Sequence, residues 1–268
     1  MRRHLPITTA ILFAGMAFAA FQYPAIAPAG DAPTEFAAEA PPEVPRDELR
    51  DSILWRRPPG PPRIALQAGH WKAAEAPAEQ ARLRTNGTRG GGKQEWEVNL
   101  EIARRTARIL EEAGLEVEIL PTTIPPGYWA DLFIAIHADG NPSASVSGFR
   151  AAAPRRDVTG RAEEFVRLLE RSYGEATGLP RYPTVTRRMT GYYAFNWRRY
   201  EHALHPMTTG VILETGFLTS PLDRAVIVHE PARAARGIAD AIRQHLGEFD
   251  LEREVVIPAD LVTESIGR

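Results

Sequence analysis

The 268-residue sequence contains no cysteine. That excludes disulfide staples and thiolate metal ligands, so any metal must be held by His, Asp or Glu. The sequence also lacks an excess of either charge: 32 basic against 34 acidic residues leave a formal net charge of -2. Apart from one short stretch at 191–206, no basic stripe with interleaved aromatics occurs. Nothing argues for a nucleic-acid partner or for electrostatic capture by anionic lipid. No internal repeat is visible. Apolar residues make up 44% and charged residues 25%, an ordinary globular composition, and the length accommodates one sizeable domain with extra segments.

One long uncharged run is present, and it lies at the N-terminus. "MRRHLPITTAILFAGMAFAAFQ" has a basic start followed by an apolar stretch from Leu5 to Phe21, the form of a secretory signal. Candidate cleavage points follow Ala19 and Ala27. Left uncut, the run is just long enough to stay as a membrane anchor. A buried core helix is the competing reading, and arginines in front with a linker behind argue against it. Residues 24–62 are rich in Pro, Ala and Glu and read as an extended, semi-rigid linker, with a short helix in "DELRDSILW". The expected organisation is a signal or anchor over 1–27, a linker over 28–62, one domain over 63–248 and a tail over 249–268. At about 3.1 Å per residue, the spacer would reach on the order of 100 Å.

Within the domain, "RIALQA" (63–68) reads as a buried strand and 71–94 as a long glycine-rich loop. Val98, Ile102, Thr106, Ile109, Leu110 and Ala113 share one face of a helix over 96–113, ended by Gly114. Strands follow at 115–120, 131–138 and, as an edge, 147–153. A helix spans 160–176, a strand 210–217, and a last helix 231–246 has Pro231 in its first turn. Strands alternating with helices predict an α/β domain with a mostly parallel or mixed central sheet flanked by helices.

In open α/β sheets, ligands bind outside the carboxyl ends of the strands. Three strands end there in metal-competent residues: "AGH" gives His70, "IAIHAD" gives His137, and "ILET" gives Glu214. Glu95 opens the first amphipathic helix, which begins at the same edge. Each has a bland reading beside the functional one. A histidine after a strand is commonly a satisfied structural residue, and an acid at a helix start commonly complements the helix dipole. His137 and Glu214, however, lie in apolar runs where an unpartnered charge is costly. A catalytic zinc takes three protein ligands and leaves one position for water, and a further carboxylate then serves as general acid and base. Two His and two Glu match that inventory.

The order Gly-His, then "EWEVNL" opening a helix, then "AIHA", then "ETGF" resembles the zinc-dependent N-acetylmuramoyl-L-alanine amidases of the amidase_3 type, over about Arg63 to Leu246. The resemblance implies an enzyme that uses Zn2+ to cut the amide between N-acetylmuramic acid and the L-alanine of the peptidoglycan stem peptide, outside the cytoplasm. It makes His70, Glu95 and His137 the zinc ligands and Glu214 the catalytic acid/base. Glu97 competes with Glu95, which is preferred because it lies four residues before Asn99. Peptidoglycan is the implied partner, with a possible membrane tether through the N-terminal segment. A zinc peptidase acting on stem peptides and a catalytically inactive wall-binding domain of the same fold are the alternatives.

Two departures from the family pattern carry expectations. "QA" and "WK" flank Gly69-His70 in place of the usual Asp-Pro and glycines. "PTTIPPGYW" replaces a helix before the His137 strand, which predicts a shortened, open edge that loop 71–94 can cover. The aromatic and basic stretch "GYYAFNWRRYEHALHP" reads either as a substrate-facing loop, with Arg198 or Arg199 meeting stem-peptide carboxylates, or as a hairpin packing its aromatics on the core. His202 and His205 read as structural or surface residues.

Overall fold

The computed structural model describes residues 57–248. The expected signal or anchor, the linker with its short helix up to residue 56, and the tail 249–268 lie outside the described residues. In chain order the elements are β1 (Arg63–Ala68), a ribbon of β2 (Arg89–Gly90) and β3 (Lys93–Gln94), α1 (Glu95–Glu112), β4 (Glu116–Leu120), β5 (Leu132–Asp139), β6 (Arg150–Ala152), α2 (Ala162–Thr177), a single turn α3 (Arg187–Thr190), β7 (Thr209–Phe217), α4 (Pro221–Ile227) and α5 (Pro231–Glu248).

The main sheet has the order β4-β1-β5-β7-β6, with β4, β1, β5 and β7 parallel and β6 antiparallel to β7. It is the mixed α/β sheet that the strand–helix alternation predicts. Alternate residues of each strand serve two different cores. Leu132, Ile134 and Ile136 of β5 face the layer of α1, α2 and α5. Each of these helices is amphipathic and turns its apolar stripe to the sheet, and fully burying one Ile, Leu or Phe contributes about 1.5–3 kcal/mol. Phe133 and Ala135 face the opposite way, into a smaller core with Ala65, Ile124, Tyr128, Tyr193 and Leu204. Among the described residues, no long helix covers that second face. It is closed by the 121–130 segment and by the chain around 189–204.

The connections set the position of the cleft. From β1 the chain passes through α1, on the helical face, to β4 at one edge. It then returns through 121–131, across the other face, to β5 on the far side of β1. Successive connections on opposite faces open a crevice at the carboxyl ends of the strands between β1 and β5.

Several expectations change in detail. The stretch 71–94 is not a plain loop: it holds 3-10 turns at Ala73–Glu75 and Ala78–Thr85 and the β2–β3 ribbon. Gly91 and Gly92 have φ of 57° and 75°, which the tight two-residue turn between β2 and β3 requires. The stretch also meets the shortened segment, because Thr123 donates to Gln80 Oε1 at 2.9 Å and Thr122 N–H donates to the Trp71 carbonyl at 2.8 Å. The 191–206 stretch forms a 3-10 turn at Tyr193–Phe195 and a loop rather than a hairpin; Tyr193 is in the second core with Tyr192, Phe195 and Tyr200 packed against it, and Tyr192, Tyr193 and Tyr200 also line the cleft at the strand ends. His202 contacts Glu79 at 2.8 Å, and His205 Nδ1 accepts from Met207 N–H at 3.2 Å.

Candidate active site

The row of cross-strand neighbours Ala135, Ile212 and Ala152 is the last apolar row on the second face. In the next row His137 pairs with Glu214, and Glu214 with Arg150. Neighbours in register project from the same face of a sheet, so the imidazole, the carboxylate and the guanidinium stand side by side where the core ends.

On the other flank of His137 lies Gly69, whose N–H donates to the Ile136 carbonyl at 2.9 Å. A Cβ at Gly69 would lie 2.4 Å from His137 Cε1, so the ring occupies the space a side chain would need. His70 follows with φ of 63°, and Lys72 has φ of 57°. Both are left-handed without being glycine, at a cost on the order of 1–2 kcal/mol each. The turn thus forms despite its unusual flanks, and at His70 the strained backbone aims the ring at Glu95. Gly69→Ala is expected to push the His137 ring aside and weaken any metal binding there by about tenfold or more, measured with zinc as the probe in competition with a chelator. Zinc binding at the parent's strength would show that the ring can move without loss.

Glu95 is the first residue of α1, where the helix N-terminus favours a negative charge. Its side chain is buried and held from several sides. Oε2 accepts from Thr88 N–H at 2.7 Å, and Oε1 from Ala138 N–H at 3.2 Å and Asn99 Nδ2 at 3.4 Å. Asn99, one turn further along α1, also donates to the Gly69 carbonyl at 3.1 Å, which ties the helix to the His70 turn. Glu95 Oε1 lies 3.0 Å from His137 Nδ1 and 3.4 Å from His70 Nε2. One ligand atom from each of the three residues falls within 4.8 Å of the others. Glu97 is elsewhere: its carboxylate accepts from Gln94 N–H at 2.8 Å, an N-terminal cap of α1.

Glu214 borders the same cleft, which encloses about 860 Å³. It makes no hydrogen bond or ion pair among the described residues. Its neighbour Arg150 is instead engaged by Asp139 and donates to the Thr184 carbonyl at 2.7 Å. Burial is the largest influence on Glu214 and, helped by the charges of Glu95 and Asp139, pushes its pKa up to about 8, against the pull of His137 and Arg150. Part of its surface still opens to the cleft. The arrangement leaves one carboxyl able to exchange a proton near neutral pH.

The other three groups perturb one another's protonation. Burial lowers the pKa of His70, and Glu95 only partly offsets it. For His137 burial also acts downward, but the hydrogen bond and charge of Glu95, with Glu214 and Asp139, outweigh it and raise the pKa. Burial would raise Glu95, yet its contacts with His137, His70 and Thr88 bring it below the usual carboxylate range. Glu95 and His137 thus stabilise each other's charged forms, while burial disfavours a proton on His70. His70 Nδ1 is buried without a hydrogen bond of ordinary geometry, although the nearby Asn86 main chain favours a proton on the ring. Two imidazole nitrogens and a carboxylate oxygen are a donor set that suits a catalytic zinc, so the residues fit that metal.

Arginines at the cleft escaped the sequence reading. Arg198 and Arg199 stack on Trp197 and Tyr200, with guanidinium carbons 4.9 and 5.3 Å from the ring centroids, and are not among the residues lining the cleft. Arg82, Arg187 and Arg188 line it instead. They are exposed and form no ion pair among the described residues.

Comparison with known proteins finds a family profile described as N-acetylmuramoyl-L-alanine amidase (Amidase_3) that matches residues 64–244. No curated protein matches. Among solved structures, the fold is similar to that of N-acetylmuramoyl-L-alanine amidase AmiC2 of Nostoc punctiforme, with 18% identity, a TM-score of 0.52, and coverage of 71% of this chain and 100% of that one. It is also similar to an N-acetylmuramoyl-L-alanine amidase of Clostridium difficile 630, with 16% identity, a TM-score of 0.53, and coverage of 71% and 99%. A third is the apo form of the amidase Ami1 of Mycobacterium abscessus, with 21% identity, a TM-score of 0.50, and coverage of 69% and 98%. At these identities the structural likeness speaks for the fold, while the profile spans well over half of the sequence: the chain belongs to the Amidase_3 family of N-acetylmuramoyl-L-alanine amidases.

Proposed function

We propose that the chain is a zinc-dependent peptidoglycan hydrolase. It cleaves the amide between the lactyl group of N-acetylmuramic acid and the L-alanine of the stem peptide, outside the cytoplasmic membrane. The observation that carries this reading is the convergence of His70, Glu95 and His137 within 4.8 Å, beside a fourth group, Glu214, in register with His137.

In this reading His70, Glu95 and His137 hold the metal and Glu214 is the catalytic acid/base. Zinc bound there would supply Lewis acidity, which polarises an amide carbonyl and acidifies water. Glu214 takes a proton from the water that attacks the lactyl carbonyl carbon. The C–N bond then breaks, and Glu214 returns the proton to the departing alanine nitrogen. The products are a lactyl carboxylate and a free α-amine. Arg82, Arg187 and Arg188 give the cleft a cationic rim suited to carboxylates of a stem peptide. Work outside the membrane is supported by the wall substrate of the family and by the basic-then-apolar pattern of residues 1–27.

The purified chain is expected to release new amino termini from isolated peptidoglycan, to lose this activity with a chelator, and to regain it with added zinc. Release that persists at full rate in excess chelator would remove the metal from the account.

A further inference from the structure

Gln67 is fully buried in β1, at a position where apolar residues surround it, and neither metal binding nor proton transfer as described above uses it. It stands in the middle of a hydrogen-bond chain that ends on His137. Its Nε2 donates to the Thr122 carbonyl at 2.8 Å and to the Tyr193 hydroxyl at 2.6 Å. Its Oε1 accepts from the Tyr192 hydroxyl at 2.8 Å. The Tyr192 hydroxyl lies 3.1 Å from His137 Nε2.

The chain has a direction. A backbone carbonyl can only accept, so Thr122 turns the amide nitrogen of Gln67 toward itself. Gln67 Oε1, which can only accept, then faces Tyr192. The single hydroxyl proton of Tyr192 is committed to Gln67, and what Tyr192 offers His137 is a lone pair. His137 Nε2 must therefore carry a proton. Its Nδ1, turned toward Glu95 Oε1 at 3.0 Å, is the nitrogen left for a metal.

Resting on the zinc reading above, we propose that Gln67 and Tyr192 are positioning residues that hold His137 as the Nε2–H tautomer, so that it binds zinc through Nδ1. Every member of the chain is buried or half-buried, and the Gln67 amide and the Tyr192 hydroxyl are each satisfied by their neighbours in it. Removing one link leaves an unpaired group in a dry setting, and the ring loses what selects its orientation. Partners of this kind change metal affinity by about 10–100-fold when removed.

The test uses the full-length protein with histidine 15N labelling and zinc as the probe. In the zinc-loaded parent, long-range proton–nitrogen correlation should show His137 with a protonated Nε2 and a metal-bound Nδ1. Tyr192→Phe and Gln67→Met should each weaken zinc binding by about 10–100-fold in chelator competition, with the circular dichroism of the parent. Coordination of zinc through Nε2 of His137 would overturn the proposal while leaving the zinc site standing. So would affinities of both variants within about threefold of the parent, well inside the expected range. A parent that binds no zinc would remove the site and the proposal together. If either variant fails to fold, the tautomer measured in the parent still decides.

Discussion

Glu214→Gln is expected to lower turnover on peptidoglycan by about 10²–10⁴-fold, the usual weight of a positioned general acid/base, with zinc content unchanged. The reason lies in the register of the sheet. Glu214 sits beside His137 on the next strand, and Asp139 occupies the arginine that would otherwise pair with it. An amide of the same size keeps the packing but cannot carry the proton. The substitution should also raise the melting temperature of the metal-free protein, with a sign that follows from linkage. The folded pKa of Glu214 is raised from 4.5 to about 8, so between those values the folded state binds more protons than the unfolded state. Stability is then lost as pH rises through that window. Glutamine carries no such penalty, so its advantage should be absent below pH 4.5 and largest above pH 8, as read by thermal unfolding across pH. Wild-type turnover in the variant would place the acid/base elsewhere.

His137→Ala is expected to abolish zinc binding, taking the chain from one zinc to none in metal analysis after dialysis, and activity with it. Two ligands would remain, and His70 and Glu95 alone do not make the three-ligand set of a catalytic zinc. The substitution also removes the closest side-chain partner of buried Glu95 and opens a gap over Gly69. Zinc bound at unchanged stoichiometry would contradict the ligand assignment.

The sequence shows the strands and long helices because period-2 and period-3.6 patterns are local properties. "DLFIAIHA" and "GVILETGF" are buried on both faces, and their observed bounds differ from the expected ones by one residue. The site was legible in part for the same reason, since strand ends at a common sheet edge are predictable from topology. The choice of Glu95 over Glu97 rested on its spacing to Asn99, and the structure adds the physical reason: Glu97 caps the main chain while Glu95 points inward. What stayed hidden depends on distant pairings. Tyr192 meets Gln67 across 125 positions, and no local pattern announces it. The arginines at the cleft were misplaced because Arg198 and Arg199 sit next to aromatics in the sequence and stack on them. Arg187 and Arg188 lie in a one-turn helix too short to produce a periodic signal.

The measurement that bears most directly on the account is mass analysis of the chain ends released when the purified protein digests isolated peptidoglycan. The expected products are intact stem peptides beginning with a free L-alanine amine, together with glycan strands whose muramic acid ends in a lactyl carboxylate. Cleavage between two amino acids of the stem, with L-alanine still joined to the glycan, would contradict this and point to a peptidase built on the same site.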